Sequence, residues 1–150
     1  MANTFTSLHY HIVFSTKNRE PWITQEVEKR VWEYLGGIAR EKNMVALQVG
    51  GIEDRIHMLV GAPATMAPAT AARLIKGGSS SWLKDAFPDL KRPGWQDGYG
   101  AFTVSKSKIP EIIEYIKGQR NHHQSSTFKQ EYLGLLKAHE IEYDLRYVFE

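Results

Sequence analysis

The stretch Gly50–Val60, with the sequence GGIEDRIHMLV, decides the fold predicted for this chain. The glycines and the acidic pair after them predict a turn over Gly50–Asp54 that leads into a strand. In that strand Arg55 and His57 occupy alternate positions, so both side chains leave the same face of the sheet. Two histidines at this spacing would form a pair of metal ligands, and here one of the two is an arginine.

Outward from this hairpin the chain alternates between predicted strands and predicted helices. The predicted strands are Leu8–Ser15, Met44–Val49, Arg55–Gly61 and Gly100–Ser105. The predicted helices run from a cap at Thr24 to about Lys42, from about Pro68 to Asp85, from Pro110 to about Asn121, and over roughly Thr127–His139. Strand–helix–strand–strand–helix–strand is the ferredoxin-like order. We therefore expect an α+β fold in one domain over residues 1–150: a ferredoxin-like antiparallel sheet with helices on one face and extra C-terminal helices.

Two further patterns concern the packing of these elements. In the first strand Leu8, Tyr10, Ile12 and Phe14 share one face, which predicts a buried apolar side. Gly77–Gly78 interrupts the second helix and predicts a kink or a close approach by a partner. The tail from Ile141 alternates apolar and polar residues, which predicts a short final strand.

Composition limits the function classes. The chain has 150 residues, 42% hydrophobic and 24% charged, which is typical of a soluble domain with a real core. The sequence has no apolar run of membrane-spanning length, its N-terminus does not have the pattern of a signal peptide, and it contains no cysteine. These features favour a cytoplasmic protein that does not act at a membrane. The net charge of +2 does not by itself indicate a nucleic-acid partner.

A second group of candidate residues lies on the predicted third helix. Tyr115 and Gln119 are four residues apart and therefore share one helix face, which His122 continues. A tyrosine beside a metal-binding amide is a sensible arrangement for a nucleophile, because a phenol needs a nearby cation or base to attack. An exposed structural pair is the alternative. His9 and His11 on the first strand form a further pair, which packing alone could also explain.

Taken together, five segments of the chain resemble one protein family, the single-tyrosine HUH transposases of the smallest bacterial insertion sequences. The segments are HYHIVFSTKNR at His9–Arg19, GGIEDRIHMLV at Gly50–Val60, LIKGGSSSWL at Leu74–Leu83, WQDGYGAFTVSKS at Trp95–Ser107 and YIKGQRNHH at Tyr115–His123. They follow one another in the family's order and extend nearly from end to end.

The resemblance implies a reaction and its residues. In the family, two histidines and a polar residue of the catalytic helix hold Mg²⁺ or Mn²⁺, and a tyrosine attacks the scissile phosphate. A 5′-phosphotyrosine link forms and a 3′-OH is released, and strand transfer reverses this step. Carried over to this chain, Tyr115 is the nucleophile, while His57 and Gln119 are metal ligands.

The resemblance also implies the partners. Members of the family act as homodimers and recognise hairpins in single-stranded DNA. The segment similar to their DNA-binding helix offers hydroxyl and ammonium donors suited to phosphate contacts. These donors are Lys76, Ser79, Ser80 and Lys84.

Arg55 departs from the family pattern, which has the first histidine at this position. A guanidinium has no lone pair for a metal and stays charged. Three consequences remain open. The first is loss of the metal site, which would leave a domesticated DNA-binding or regulatory protein. The second is binding of the scissile phosphate by Arg55 itself. The third is replacement of the missing ligand by His11, Asp54 or Glu53. A salt bridge from Arg55 to Glu53 or Asp54 would also leave the site without activity.

Overall fold

The structure is a computed structural model that describes residues 3–91, 93–123 and 126–149, with only the backbone at residues 122 and 123. The side chain of His122, predicted to continue the face of Tyr115, lies outside the described residues. Within the described ranges, no helix is long and apolar enough to cross a membrane.

Four strands and five α-helices make up the described fold. The strands are β1 (His9–Ser15), β2 (Val45–Ile52), β3 (Arg55–Gly61) and β4 (Gly100–Thr103). The helices are α1 (Glu28–Glu41), α2 (Pro68–Ala86), α3 (Ile109–Lys117), α4 (Gln119–His123) and α5 (Phe128–Ala138). The sheet has the order β2-β3-β1-β4, and each neighbouring pair is antiparallel. The predicted ferredoxin-like order is therefore confirmed.

The two faces of this sheet are covered by different helices. On one face α1 and α2 pack on the alternating apolar residues of β1 and β3, and the main core forms there around Ile12, Phe14, Ile56 and Met58. The extra C-terminal helices cover the opposite face through two small clusters. One cluster joins Val13 and Phe102 to Phe128, Tyr132 and Leu136 of α5, and the other joins Leu59 and Val104 to Ile109 and Ile116 of α3.

Glycines hold the β2–β3 hairpin close to α3. A Cβ on Gly50 would lie 2.8 Å from Cγ2 of Ile116, so only a glycine lets this helix approach the strand. Gly51 has a φ of +148°, and a Cβ there would lie 2.0 Å from the carbonyl oxygen of Arg55. Both positions require glycine, and through them the hairpin determines where the helix of Tyr115 lies.

Gly78, one of the two glycines predicted to mark a kink or a close approach in the second helix, lies at a close contact with α1. A Cβ at this position would lie 3.3 Å from Cδ1 of Ile38 in α1, so the glycine marks a close helix–helix approach. The helix continues through it from Pro68 to Ala86, and the neighbour is an element of the same chain.

The turn predicted over Gly50–Asp54 is confined to residues 53 and 54, because β2 continues through both glycines to Ile52. Three other local predictions were also wrong. The first helix begins at Glu28 and is not capped by Thr24. Its N-cap residue is Val27, which has no hydroxyl or carboxylate to cap the helix, and Thr24 lies at the start of the preceding turn. The predicted helix from Pro110 to Asn121 is interrupted at Gly118, a residue that weakens helices.

The third wrong prediction concerns the tail. The alternating segment from Ile141, predicted as a strand, forms no strand over its described residues and ends in turns. The carboxylate of Asp144 accepts hydrogen bonds from the backbone N–H of Arg146 at 2.9 Å and from its guanidinium at 2.8 Å. Such local bonds compete with an extended backbone. Here they override the alternation of apolar and polar residues.

Candidate active site

Strand β3 places Arg55 and His57 on the face of the sheet that α3, α4 and α5 cover. Both side chains have an exposed fraction of 0%. Nε of Arg55 donates to Oδ1 of Asp54 at 2.9 Å, so the predicted salt bridge is present. A buried guanidinium is stable only with such partners, because unpaired burial of a charge is very costly.

Glu131 of α5 lies at the centre of the cluster, and its carboxylate accepts four hydrogen bonds. Oε1 accepts from Nη1 of Arg55 at 3.2 Å and from Nε2 of His57 at 2.9 Å. Oε2 accepts from Nε2 of Gln119 at 2.9 Å and from the hydroxyl of Tyr115. Side chains from β3, α3 and α4 therefore donate hydrogen bonds to the same carboxylate.

A chain of two imidazoles continues the network into β1. Nε2 of His11 lies 2.8 Å from Nδ1 of His57. Because the carboxylate of Glu131 only accepts, Nε2 of His57 carries a proton and Nδ1 is left to accept from His11. Both nitrogens of His57 are therefore engaged. The second histidine of the first strand, His9, has a buried Nδ1 without a hydrogen-bond partner among the described residues.

The electrostatics of the cluster favour an ionised carboxylate, because the guanidinium of Arg55 supplies a positive charge and the other groups donate hydrogen bonds to it. Burial alone would raise the pKa of Glu131, but the hydrogen bond and electrostatic interaction with His57, together with the bonds from Tyr115 and Gln119, hold that pKa well below its usual range. Burial, reinforced by His57, lowers the pKa of His11 to about 3. Burial and the hydrogen bond to Glu131 raise the pKa of Tyr115 above its usual value.

The structure brings together every residue predicted for the catalytic centre. Tyr115 and Gln119 contact the same oxygen of Glu131, and the ring of Tyr115 lies 5.6 Å from the ring of His57. His11, considered above as a replacement ligand, reaches His57 across the sheet.

Sequence reasoning missed Glu131. A weak signal was present, because a glutamate stands three residues after Phe128 and one before Tyr132, within the apolar face of its helix. A carboxylate in such a stripe indicates a buried partner of opposite charge. The sequence does not say that this partner is Arg55, which lies 76 positions earlier.

The side chains at this centre do not form a suitable set of ligands for the Mg²⁺ or Mn²⁺ that the family binds. Arg55 has no lone pair, and both nitrogens of His57 are held in hydrogen bonds. Oε1 of Gln119 is a buried acceptor without a hydrogen-bond partner among the described residues, but one amide oxygen is not a metal site. Within residues 3–91, 93–123 and 126–149, no group of three His, Cys, Asp or Glu side chains is placed to hold a metal ion.

The residues predicted to bind DNA divide into two groups. Three of them make hydrogen bonds inside the chain. Nζ of Lys76 donates to the carbonyl of Gly98 at 2.8 Å, the buried hydroxyl of Ser79 accepts from the indole of Trp95 at 2.8 Å, and the hydroxyl of Ser80 donates to the carbonyl of Lys76 at 2.8 Å.

Lys84 differs from these three because its side chain is exposed. It lines a cleft of about 720 Å³ together with Lys17 and Lys91, beside a single acidic residue, Glu20, among the described lining residues. The cleft is therefore basic, and no other predicted DNA contact lies in it.

Comparison with known sequences identifies the class of protein. The family model described as "Transposase IS200 like" matches residues 4–119. The chain is 35% identical over 124 residues to the transposase for insertion sequence element IS200 of Salmonella typhimurium, an alignment that covers 79% of this chain and 81% of the relative. The chain belongs to the IS200-like transposase family. The family match ends at Gln119, so α5 and its Glu131 lie beyond it.

Two further relatives extend the comparison. The ISDra2 transposase TnpA of Deinococcus radiodurans is 26% identical over 119 residues, which cover 76% of this chain and 85% of the relative. A crystal structure of a putative transposase from the same organism superposes with a TM-score of 0.66 at 27% identity, over 79% of this chain and 95% of that one. A tyrosine transposase bound to a REP hairpin superposes with a TM-score of 0.58 at 13% identity, over 82% and 73%, which shows a shared fold.

Proposed function

We propose that this protein binds hairpin-forming single-stranded DNA and cleaves and rejoins it through Tyr115, as one transposase domain over residues 1–150. In the cleavage step the phenol oxygen of Tyr115 attacks the scissile phosphorus and the bond to the 3′-oxygen breaks. A 5′-phosphotyrosine link and a free 3′-OH result, and the phenol proton ends on the 3′-oxygen. Rejoining is the reverse step, so it consumes no nucleotide cofactor.

The convergence of Tyr115, Gln119 and His57 on one buried point carries this proposal. Side chains from β3, α3 and α4 meet there, although 58 residues separate His57 from Tyr115. A structural role alone would not need a phenol, an amide and an imidazole directed at one anionic group. Family membership adds support, because His57, Tyr115 and Gln119 all lie within the range that the family model matches.

The basic cleft that contains Lys84 is the proposed path for the DNA backbone. Lys17 and Lys91 add two exposed ammonium groups to it. One structural neighbour is a tyrosine transposase bound to a REP hairpin, and we extend hairpin binding to this chain as a proposal. Lys76, Ser79, Ser80 and Arg55 remain predicted contacts that would first have to exchange their internal partners.

The central experiment measures covalent adducts. End-labelled imperfect hairpins with single-stranded flanks are incubated with the protein and separated under denaturing conditions. We expect an adduct with wild type and none with Tyr115→Phe, whereas Tyr147→Phe in the exposed tail behaves as wild type. Retardation of hairpins without any adduct would show the alternative function, a DNA-binding or regulatory protein without cleavage.

A second experiment tests the metal. Arg55→His introduces the imidazole of the family pattern and removes the charge that disfavours a dication. We expect Mn²⁺ to increase adduct formation by this variant and to have little effect on wild type. An equal response of both proteins would show that Arg55 does not govern metal binding.

We also propose that the protein acts in the cytoplasm as a homodimer, as the family resemblance implies. Sedimentation equilibrium of the purified chain, with and without a hairpin, measures its mass directly. A monomer in both conditions would contradict the dimer and leave the single-chain site described above as the working unit.

A further inference from the structure

The donors around Glu131 form a cradle for an anion. Nη1 of Arg55, Nε2 of His57, Nε2 of Gln119 and the hydroxyl of Tyr115 all point at its carboxylate. A fifth donor, Nη2 of Arg55, is buried and has no hydrogen-bond partner among the described residues. The two oxygens of the carboxylate therefore do not use every donor that the cradle offers.

The same donors suit a phosphate better than a carboxylate. A guanidinium binds planar or tetrahedral oxyanions through two parallel N–H groups, and Arg55 directs only Nη1 at Glu131. A phosphodiester presents two non-bridging oxygens and two ester oxygens, so it supplies an acceptor for Nη2 as well. It would also place phosphorus beside the hydroxyl of Tyr115, which now contacts Oε2 of Glu131.

We propose that this centre is a phosphate-binding cradle in which Arg55 supplies the positive charge, and that the carboxylate of Glu131 occupies the place of the scissile phosphate until DNA displaces α5. Arg55 and Glu131 then have complementary roles. The arginine binds the phosphate, and the carboxylate of the glutamate occupies the phosphate position when DNA is absent. This inference rests on the proposed function, because it takes a phosphodiester as the ligand.

Helix α5 is packed in a way that allows it to leave. It contributes Phe128, Tyr132 and Leu136 to a small cluster that takes only Val13 and Phe102 from the sheet. Among the residues that the structure describes, the main core on the other face contains none from α5. The helix also carries its own capping box between Thr127 and Gln130, so it keeps its N-terminal hydrogen bonds when it moves.

A role for Glu131 as the base that deprotonates Tyr115 is the competing explanation. Arg55, His57 and Gln119 direct donors at both carboxylate oxygens, which weakens the affinity of this group for a proton. Oε2 of the carboxylate also contacts the phenol hydroxyl directly, at the side of the ring from which the phenol would attack. Both observations favour a group that competes with the phosphate.

Phosphate binding without DNA tests the cradle directly. Inorganic phosphate is titrated into wild type, Glu131→Ala, Glu131→Gln and Glu114→Ala in the presence of a chelator, with calorimetry as the readout. Glu114 is exposed and adjacent to Tyr115, so its removal changes the net charge equally without opening the cradle. We expect both Glu131 variants to bind phosphate at least about tenfold more tightly than wild type, because one charge-assisted competitor is gone.

The proposal requires that this increase in phosphate affinity depends on Arg55. We expect Arg55→Met combined with Glu131→Gln to lose it, while the fold of each variant is checked by circular dichroism. An equal gain in Glu114→Ala, a gain that survives Arg55→Met, or no gain in a folded Glu131→Gln would each overturn the proposal. Glu131→Gln keeps the size of the side chain, so it serves where Glu131→Ala fails to fold.

Hydrogen exchange of the wild-type protein provides a measurement that needs no variant. We expect the amides of α5 to exchange faster when a hairpin is bound, because the helix has left the site. Unchanged or slower exchange in α5 with DNA bound would overturn the displacement. Phosphate binding without adduct formation would contradict the proposed cleavage but not the cradle, and adducts formed without phosphate binding would contradict only the cradle.

Discussion

The two faces of strand β3 are equally buried and are stabilised in different ways. Ile56, Met58 and Val60 on one face have an exposed fraction of 0% and pack in the main core. Arg55 and His57 on the other face have the same exposed fraction, but their contacts are hydrogen bonds to one carboxylate. Burial therefore does not distinguish a core from a site.

The difference lies in how specific the contacts are. An apolar side chain tolerates many neighbours of suitable size, whereas a buried ion requires one partner with a defined geometry. Arg55 keeps Asp54 of its own hairpin as one partner, but it has the carboxylate of Glu131 only while α5 is in place. The apolar face is therefore a permanent part of the fold, and the polar face depends on a helix outside the family match.

The strongest test separates the two partners of the buried ion pair. Arg55→Met leaves Glu131 buried without its guanidinium, and we expect a loss of about 3–5 kcal/mol in the free energy of unfolding. Arg55→Met together with Glu131→Leu should recover most of this loss, because no carboxylate remains at position 131 and Asp54, the other partner of Arg55, has a side chain that is 18% exposed. Urea denaturation of the two single variants and the double variant measures the coupling. Additive effects would show that the pair does not interact.

A truncation on the apolar face gives the matched comparison. Met58→Ala removes a fully buried side chain from the main core and should lower the free energy of unfolding by about 3 kcal/mol. The effect should add to that of Glu131→Leu, because the sheet separates the two side chains. Strong coupling in the same urea experiment would contradict the independence of the faces.

The acid response should come from the polar face. The pKa of His11 is 6.5 in the unfolded chain and about 3 in the folded protein. Between these values the unfolded state binds a proton at His11 and the folded state does not. Stability should therefore fall as the pH decreases from 6.5 towards 3, by up to about 1.4 kcal/mol per pH unit.

The window between pH 6.5 and 4.5 isolates this effect. The lowered pKa of Glu131 removes stability only below its ordinary value of 4.5. His11→Asn should flatten the slope in urea denaturation series across this window, whereas His139→Asn, which replaces an exposed histidine with the smallest influence on the pKa of His11, should change it much less. An unchanged slope in His11→Asn would assign the acid response to another group.

The smallest effect on stability is expected at the basic cleft. Lys84→Ala should change the free energy of unfolding by less than about 0.5 kcal/mol, since its side chain is exposed. Its effect should appear in hairpin binding, where the slope of log affinity against log salt should fall by about 1. Lys42→Ala, an exposed lysine at the end of α1, is the control. An equal change in both would show that Lys84 acts only through net charge.

Much of the fold and part of the site were predictable because their signals are local. The alternation in β1 and β3, the glycines before Asp54 and the helical spacing of Tyr115 and Gln119 each act within a few residues. The errors also have local causes. The cap at Thr24, the break at Gly118 and the turn at Asp144 depend on competition between hydrogen bonds that a periodic pattern does not record.

The amino-acid sequence was enough to predict the order of the elements, the family and most residues of the candidate site. The contact between Glu131 and Arg55 emerges only in the folded chain, since the two are far apart in sequence and belong to elements that meet only when α5 covers the sheet. The physical reason is electrostatic. A guanidinium stays charged, so its burial requires a partner anion, and only the folded chain shows which carboxylate supplies it.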